Sequence, residues 1–133
     1  MTMTREPRDR AGVLLIEDGY IALIERIKDG RIYYVIPGGG IEPDETPMEA
    51  ACREAHEELG VTVSSIQPCM MFEQKGVHHY FLVGKYEGTF GTGKGDEFTG
   101  HRSGSYRPVW MSLDEALSTT LYPEQVKSFL VNR

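Results

Sequence analysis

Residues 39–61 read GGIEPDETPMEAACREAHEELGV, and this stretch decides how the rest of the chain is read. Thr46 has the chemistry of a helix N-cap, Pro47 suits the first helical position, and Glu49 completes a capping box three residues after the cap. Gly60 suits the left-handed residue that closes such a helix. On a wheel of about 100° per residue, Met48, Ala51, Cys52, Ala55 and Leu59 share one arc, the width of a buried stripe. Glu54, Glu57 and Glu58 fall on the adjoining arc. Their i, i+3, i+4 spacing brings three carboxylates to one neighbourhood, where like charges repel. A solvated acidic face, with Arg53 paired to Glu57, is one reading. A site for a hard divalent cation is the other, because magnesium takes carboxylate oxygens and keeps positions open for water and phosphate.

The segments around the helix alternate between apolar runs and turns. Residues 11–17 (AGVLLIE) and 20–27 (YIALIERI) flank Asp18-Gly19, a hairpin signal. Lys28-Asp29-Gly30 marks a second turn, and residues 31–36 (RIYYVI) a third strand. The run Pro37-Gly38-Gly39-Gly40 is expected not to continue a regular strand. After the helix, residues 61–63, 67–73, 78–87 and 106–111 read as strands, with a glycine-rich loop at 88–104. A short helix opens at Ser112, and residues 123–131 read as a terminal helix. Strands, one central helix, more strands and closing helices make an α+β domain with a mixed sheet flanked by helices.

With 133 residues and 15.0 kDa, the chain has room for one domain spanning residues 1–133. Residues 1–10 are polar, without the apolar core of a signal peptide, and no apolar run is long enough to span a bilayer. The expectation is a cytoplasmic protein with no membrane partner. Two cysteines, Cys52 and Cys69, make neither a disulfide framework nor a zinc site and read as small buried hydrophobes. The net charge of −6 argues against a nucleic-acid polymer as partner, yet a phosphorylated small molecule can bind an acidic protein through metal ions.

Gly39, five residues, Glu45, seven residues, then Arg53-Glu54-Ala55-His56-Glu57-Glu58-Leu59-Gly60-Val61 resembles the Nudix box of the Nudix hydrolases (MutT-like). Eight specified positions at fixed spacing carry the likeness; Ala55 stands where a larger aliphatic is usual. Pro37-Gly38-Gly39 before the box and Pro108-Val109-Trp110 after it also resemble the family. The resemblance implies an α/β/α sandwich and a pyrophosphohydrolase that cleaves a nucleoside diphosphate linked to another group. Water attacks phosphorus, with Mg2+ or Mn2+ required. It also implies that Glu54, Glu57 and Glu58 carry the metal, with the Gly38 carbonyl as an additional ligand, while Arg53 and Glu45 orient the glutamates. A carboxylate takes the proton from water. Glu54 is one candidate, and Glu97, ahead of its neighbour Asp96, is another. Family members are often homodimers.

Outside the box, Arg26, Arg31 and Lys28 flank the strand that leads into it and read either as phosphate contacts or as solvated turn charges, while Tyr33 is among the aromatics able to stack on a base, most of which are expected in the core. His78-His79 invites a metal reading, but adjacent strand residues point to opposite faces. ADP-ribose-cleaving relatives often carry a proline near the position of Lys75-Gly76-Val77, which has none. Tyr80 matches only roughly a tyrosine of dinucleoside-polyphosphate hydrolases. Nucleoside triphosphates, including oxidised ones, are thus the favoured small-molecule substrates. ADP-ribose, a dinucleoside polyphosphate, or a non-catalytic nucleotide-binding module are the alternatives.

Overall fold

A computed structural model describes residues 8–91 and 104–132. Two tight turns organise its N-terminal half. Asp18 and Gly19 take φ of 53° and 81°, and Asp29 and Gly30 take 52° and 75°. A left-handed pair of this kind matches the twist of the strands on either side. The first turn joins β2 (Ile16–Glu17) to β3 (Tyr20–Lys28), and the second joins β3 to β4 (Arg31–Val35). The registers Glu17↔Tyr20 and Lys28↔Arg31 leave two residues in each loop, the shortest hairpin connection.

The strands form two mixed sheets. In the first, β5 (Gly38–Gly40), β1 (Arg10–Leu14), β8 (Val77–Leu82) and β7 (Gln67–Glu73) lie in that order, with β1 and β8 parallel. In the second the order is β10 (Ser105–Ser112), β3, β4 and β11 (Leu121–Tyr122), with β11 parallel to β4. A separate ribbon pairs β6 (Thr62–Ser64) with β9 (Lys85–Glu87).

Alternation along the strands divides the interior between two cores. Ala11, Val13, Leu15, Ala22 and Ile24 pack against Ala50, Ala51, Ala55 and Leu59 of α1 (Pro47–Leu59). Leu14, Ile21 and Leu23 pack against Ala116 of α2 (Leu113–Ser118) and Val126 and Leu130 of α3 (Val126–Val131). Helices therefore cover both faces of the sheets, which is the α/β/α layering expected. Among the described residues no helix is long and apolar enough to cross a membrane.

Four details depart from the sequence reading. Gly38–Gly40 is a strand, paired antiparallel to β1 through Arg10↔Gly40, Ala11↔Gly39 and Gly12↔Gly38. The missing side chains permit it: a Cβ at Gly38 would come within 2.5 Å of the Ala11 carbonyl oxygen. Residues 78–87 are two strands, because at Gly84, whose N–H donates to the Ser65 carbonyl at 3.0 Å, the chain leaves β8 to pair with β6. The terminal helix begins at Val126, three residues later than expected, after a turn in which Val126 N–H donates to Pro123 O at 3.1 Å. On α1, Met48 is 41% exposed, whereas Ala50 and Glu58 are buried. Met48 occupies the first turn of the helix and lines an open cavity with Met71 and His79, while Ala50 of the same turn faces the core. Burying a leucine such as Leu59 contributes about 1.5–3 kcal/mol, so the middle and end of α1 anchor it.

Candidate active site

The two ends of α1 are fixed by its own sequence. Thr46 Oγ1 accepts from the Glu49 N–H at 3.1 Å, and the Thr46 N–H donates to Glu49 Oε1 at 2.9 Å. At the other end Gly60, with φ of 80°, donates its N–H to His56 O at 3.1 Å. Between these caps, Arg53, Glu54, Glu57 and Glu58 turn toward β5 and its flanks.

Arg53 is the organising cation. Its Nε and Nη2 donate to the two oxygens of Glu45 at 2.6 and 2.9 Å, a two-pronged grip on one carboxylate. Nη2 also reaches the Gly40 carbonyl at 3.0 Å, and Nη1 reaches Glu54 at 2.9 Å and Glu57 at 3.3 Å. The hydrogen bonds from Arg53 hold the Glu45 carboxyl down at about 2, with the Glu42 N–H contributing. Glu45, Glu54 and Glu57 in turn push the Arg53 guanidinium well above its ordinary value against its own desolvation. The pairing of Arg53 with Glu57 read from the helix spacing is thus present, and through Glu45 and the Gly40 carbonyl the same guanidinium also ties the loop before α1 to β5.

The glycine strand receives the glutamates one by one. Gly38 N–H donates to Glu58 Oε1 at 2.7 Å. The next residue, Gly39, lies directly beneath the Glu54 carboxylate, where a Cβ would collide with it. Burial raises the Glu54 pKa, and the neighbouring Arg53 charge opposes that shift only in part. Glu58 is 4% exposed, and its second oxygen accepts from the Tyr106 hydroxyl at 2.9 Å. Glu57 is the outermost of the three, its side chain half exposed.

The carboxylates are gathered but not arranged as a ready-made cage. Among the described residues no three His, Cys, Asp or Glu side chains stand together in a way that could hold a metal ion. Glu54 and Glu57 share Arg53 Nη1, while Glu58 is engaged by Gly38 and Tyr106. The donor set nevertheless suits a hard divalent cation: oxygen ligands only, one of them a desolvated carboxylate lying over bare backbone.

Arg26, Tyr33 and Arg31 also come together. Cross-strand register places Tyr106, Arg26 and Tyr33 abreast on β10, β3 and β4. The Arg26 guanidinium lies 4.5 Å from the Tyr106 ring centroid and 5.9 Å from that of Tyr33, and the Arg31 guanidinium also lies 5.9 Å from the Tyr33 centroid. Through its hydroxyl, Tyr106 joins this group to Glu58. Read as a sequence, Tyr106 was only the start of a strand; its alternation with Pro108 and Trp110 signals a shared face but not which partner lies opposite. His78 stacks on Phe72 with ring centroids 4.7 Å apart, whereas His79 lines a cavity of about 500 Å3 with Met48, Met71 and Phe81. The two histidines do not share a ligand position. Glu97 and Asp96 lie outside the described residues.

The NUDIX domain family model matches residues 6–130. The chain belongs to the NUDIX family. The NUDIX domain is similar to a MutT-like protein of Streptomyces ambofaciens, 43% identical over 53 residues, which are 40% of this chain and 33% of that protein. It is 57% identical over 50 residues to diphosphoinositol polyphosphate phosphohydrolase 2 of Rattus norvegicus, covering 38% of this chain and 28% of the relative. The matches thus span about a third of these curated relatives' length. The crystal structure of the MutT NUDIX hydrolase from Burkholderia pseudomallei superposes with a TM-score of 0.72 at 21% identity, covering 96% of this chain and 99% of the other. At that identity the likeness is one of fold, and the fold is the NUDIX α+β sandwich.

Proposed function

We propose that this NUDIX domain is a pyrophosphohydrolase that cleaves a diphosphate linkage in a nucleoside diphosphate derivative with the help of Mg2+ or Mn2+. The observation that carries the reading is the delivery of two glutamates from one helix onto consecutive residues of a bare glycine strand: Glu58 onto the Gly38 N–H and Glu54 over Gly39. A non-catalytic binding module has no need for a desolvated carboxylate at that point.

Glu54, Glu57, Glu58 and the Gly38 carbonyl are the groups that would hold the metal. A bound divalent cation supplies charge neutralisation at the phosphate oxygens and makes water easier to deprotonate. Phosphoryl transfer depends on positioning and electrostatics more than on covalent help. In this chain Arg53 and Glu45 keep the glutamates oriented. Glu54, its basicity raised by burial, accepts the proton of the attacking water. Glu97 is the other acid proposed for that step. Arg26, Arg31 and Tyr33 receive the substrate, two guanidiniums for phosphate oxygens and an aromatic face for stacking.

Among substrates, a nucleoside triphosphate, including an oxidised one, is the first choice, with ADP-ribose and dinucleoside polyphosphates behind it. The name of the rat relative adds a diphosphorylated polyol phosphate to the compounds worth testing. The test is phosphate or pyrophosphate release from such a panel with Mg2+, for the wild type and for Glu57→Gln and Glu58→Gln. Metal-dependent release by the wild type, lowered by roughly two orders of magnitude in the variants, is expected. Near-normal turnover in both variants would overturn the assignment.

A further inference from the structure

Arg8 and Arg10 bracket Asp9 at the beginning of β1. Asp9 ties this stretch down on both sides: its carbonyl accepts from the Ile41 N–H at 3.0 Å, and its Oδ1 accepts from the Val77 N–H at 2.9 Å. Arg10 is in register with Gly40 of β5 on one side and with His78 of β8 on the other. Arg8 lays its guanidinium over Gly40, where a Cβ would come within 2.5 Å of Cζ. The glycine run thus has two uses. Gly39 makes room for Glu54, and Gly40 makes room for Arg8.

Successive strand residues face opposite ways, so Glu54 and Arg8 lie on opposite faces of β5. Because β5 is the edge of its sheet, the two faces communicate around a single strand's width, about 5 Å. Both arginines are exposed. Among the described residues neither guanidinium has an ion pair or a hydrogen bond, whereas Arg53 and Arg107 are both engaged by carboxylates. In a chain of net charge −6, these are two guanidiniums without a carboxylate hydrogen bond beside the glycine strand that receives Glu54.

We propose that Arg8 and Arg10 form a second anion site, which binds a phosphate group of the substrate lying outside the scissile diphosphate, reached around the β5 edge. The inference rests on the hydrolase reading above and narrows it to substrates that carry at least one phosphate more than the linkage being cut. Guanidinium suits the role, since its fixed fork of donors matches phosphate oxygens in pairs.

Binding of methylene-bridged diphosphate and methylene-bridged triphosphate, neither of which is hydrolysed at the bridge, tests the site by calorimetry in the presence of Mg2+. The variants are Arg8→Ala and Arg10→Ala, singly and together, with Lys85→Ala as a charge control for the single changes. The double variant is expected to lose about tenfold in affinity for the triphosphate and less than twofold for the diphosphate, in line with one or two lost charge-assisted hydrogen bonds. Equal losses for both compounds, no loss for either, or a loss in Lys85→Ala matching that in the arginine variants would overturn it. Because binding is read without turnover, an inactive wild type would count against the hydrolase reading and leave the anion site to be judged on its own result.

Discussion

The Tyr106 hydroxyl donates a 2.9 Å hydrogen bond to Glu58, and the Gly38 N–H holds the other oxygen of the same carboxylate at 2.7 Å. A buried glutamate fixed at both oxygens has one orientation. One of its holders comes from a strand 48 residues further along the chain. Tyr106→Phe removes that donor and keeps the ring beside Arg26. With Glu58 a metal ligand as proposed, the expected effect is a fall in kcat of about 10- to 100-fold, the usual result of losing an outer support of such a residue. The loss should exceed any change in KM, which steady-state kinetics will read directly. Equal activity in Tyr106→Phe and wild type would remove Tyr106 from the site.

The grip of Arg53 on Glu45 has a pH signature. Glu45 ionises at about 2 in the folded chain, below its ordinary value of 4.5. A lowered carboxyl pKa stabilises the fold above the unfolded value, and that contribution disappears as pH falls toward the folded one. The stability gap between wild type and Glu45→Gln should therefore be constant from pH 7 to about 5 and close between about 4.5 and 2. Denaturant melts at four or five pH values measure it; a gap unchanged at about pH 2.5 would contradict the assigned pairing.

Gly39→Ala places a methyl group against the Glu54 carboxylate. The helix end of Glu54 is packed, so the carboxylate has to move. With Glu54 the base as proposed, displacing it by about 1 Å is expected to cost on the order of 100-fold in rate. Gly40→Ala should instead push Arg8 aside and weaken triphosphate binding. If the two substitutions give the same pattern of loss, β5 does not separate the two groups as described.

Thr46→Ala removes the side-chain half of the capping box. A loss of about 1 kcal/mol in unfolding free energy is expected from chemical denaturation, as for other Ser and Thr caps. Glu49→Gln keeps an acceptor for the Thr46 N–H and should cost less.

What the sequence made legible was local. Thr46, Pro47, Glu49 and Gly60 mark the helix because caps act within one turn, and Asp18-Gly19 and Asp29-Gly30 mark hairpins because left-handed pairs are rarely anything else. The grouping of Glu54, Glu57 and Glu58 was readable from helical spacing, whereas the part of Glu45 and Arg53 beside them was what the resemblance to the Nudix box implied. Other features depend on partners far along the chain. Gly38–Gly40 is a strand only because β1 lies beside it. Met48 is as apolar as Leu59, yet it is 41% exposed, at the rim of the cavity it lines with Met71 and His79. Glu58 is buried and hydrogen-bonded to Gly38 and to Tyr106, the latter 48 residues away. Arg8 sits in a polar stretch that gives no hint of Gly40 beneath it.

Strand β1 is bonded to Gly38–Gly40 on one side and to Val77–Leu82 on the other. A peptide ending at residue 61 would contain every glutamate of the helix and both of its caps. It would lack β8, which supports β1 from behind, and Tyr106, which holds Glu58. The 23 residues that announce the family are therefore not a portable cassette. Grafted into another scaffold they would carry a recognisable signature without its alignment, because the geometry belongs to strands contributed by the rest of the domain.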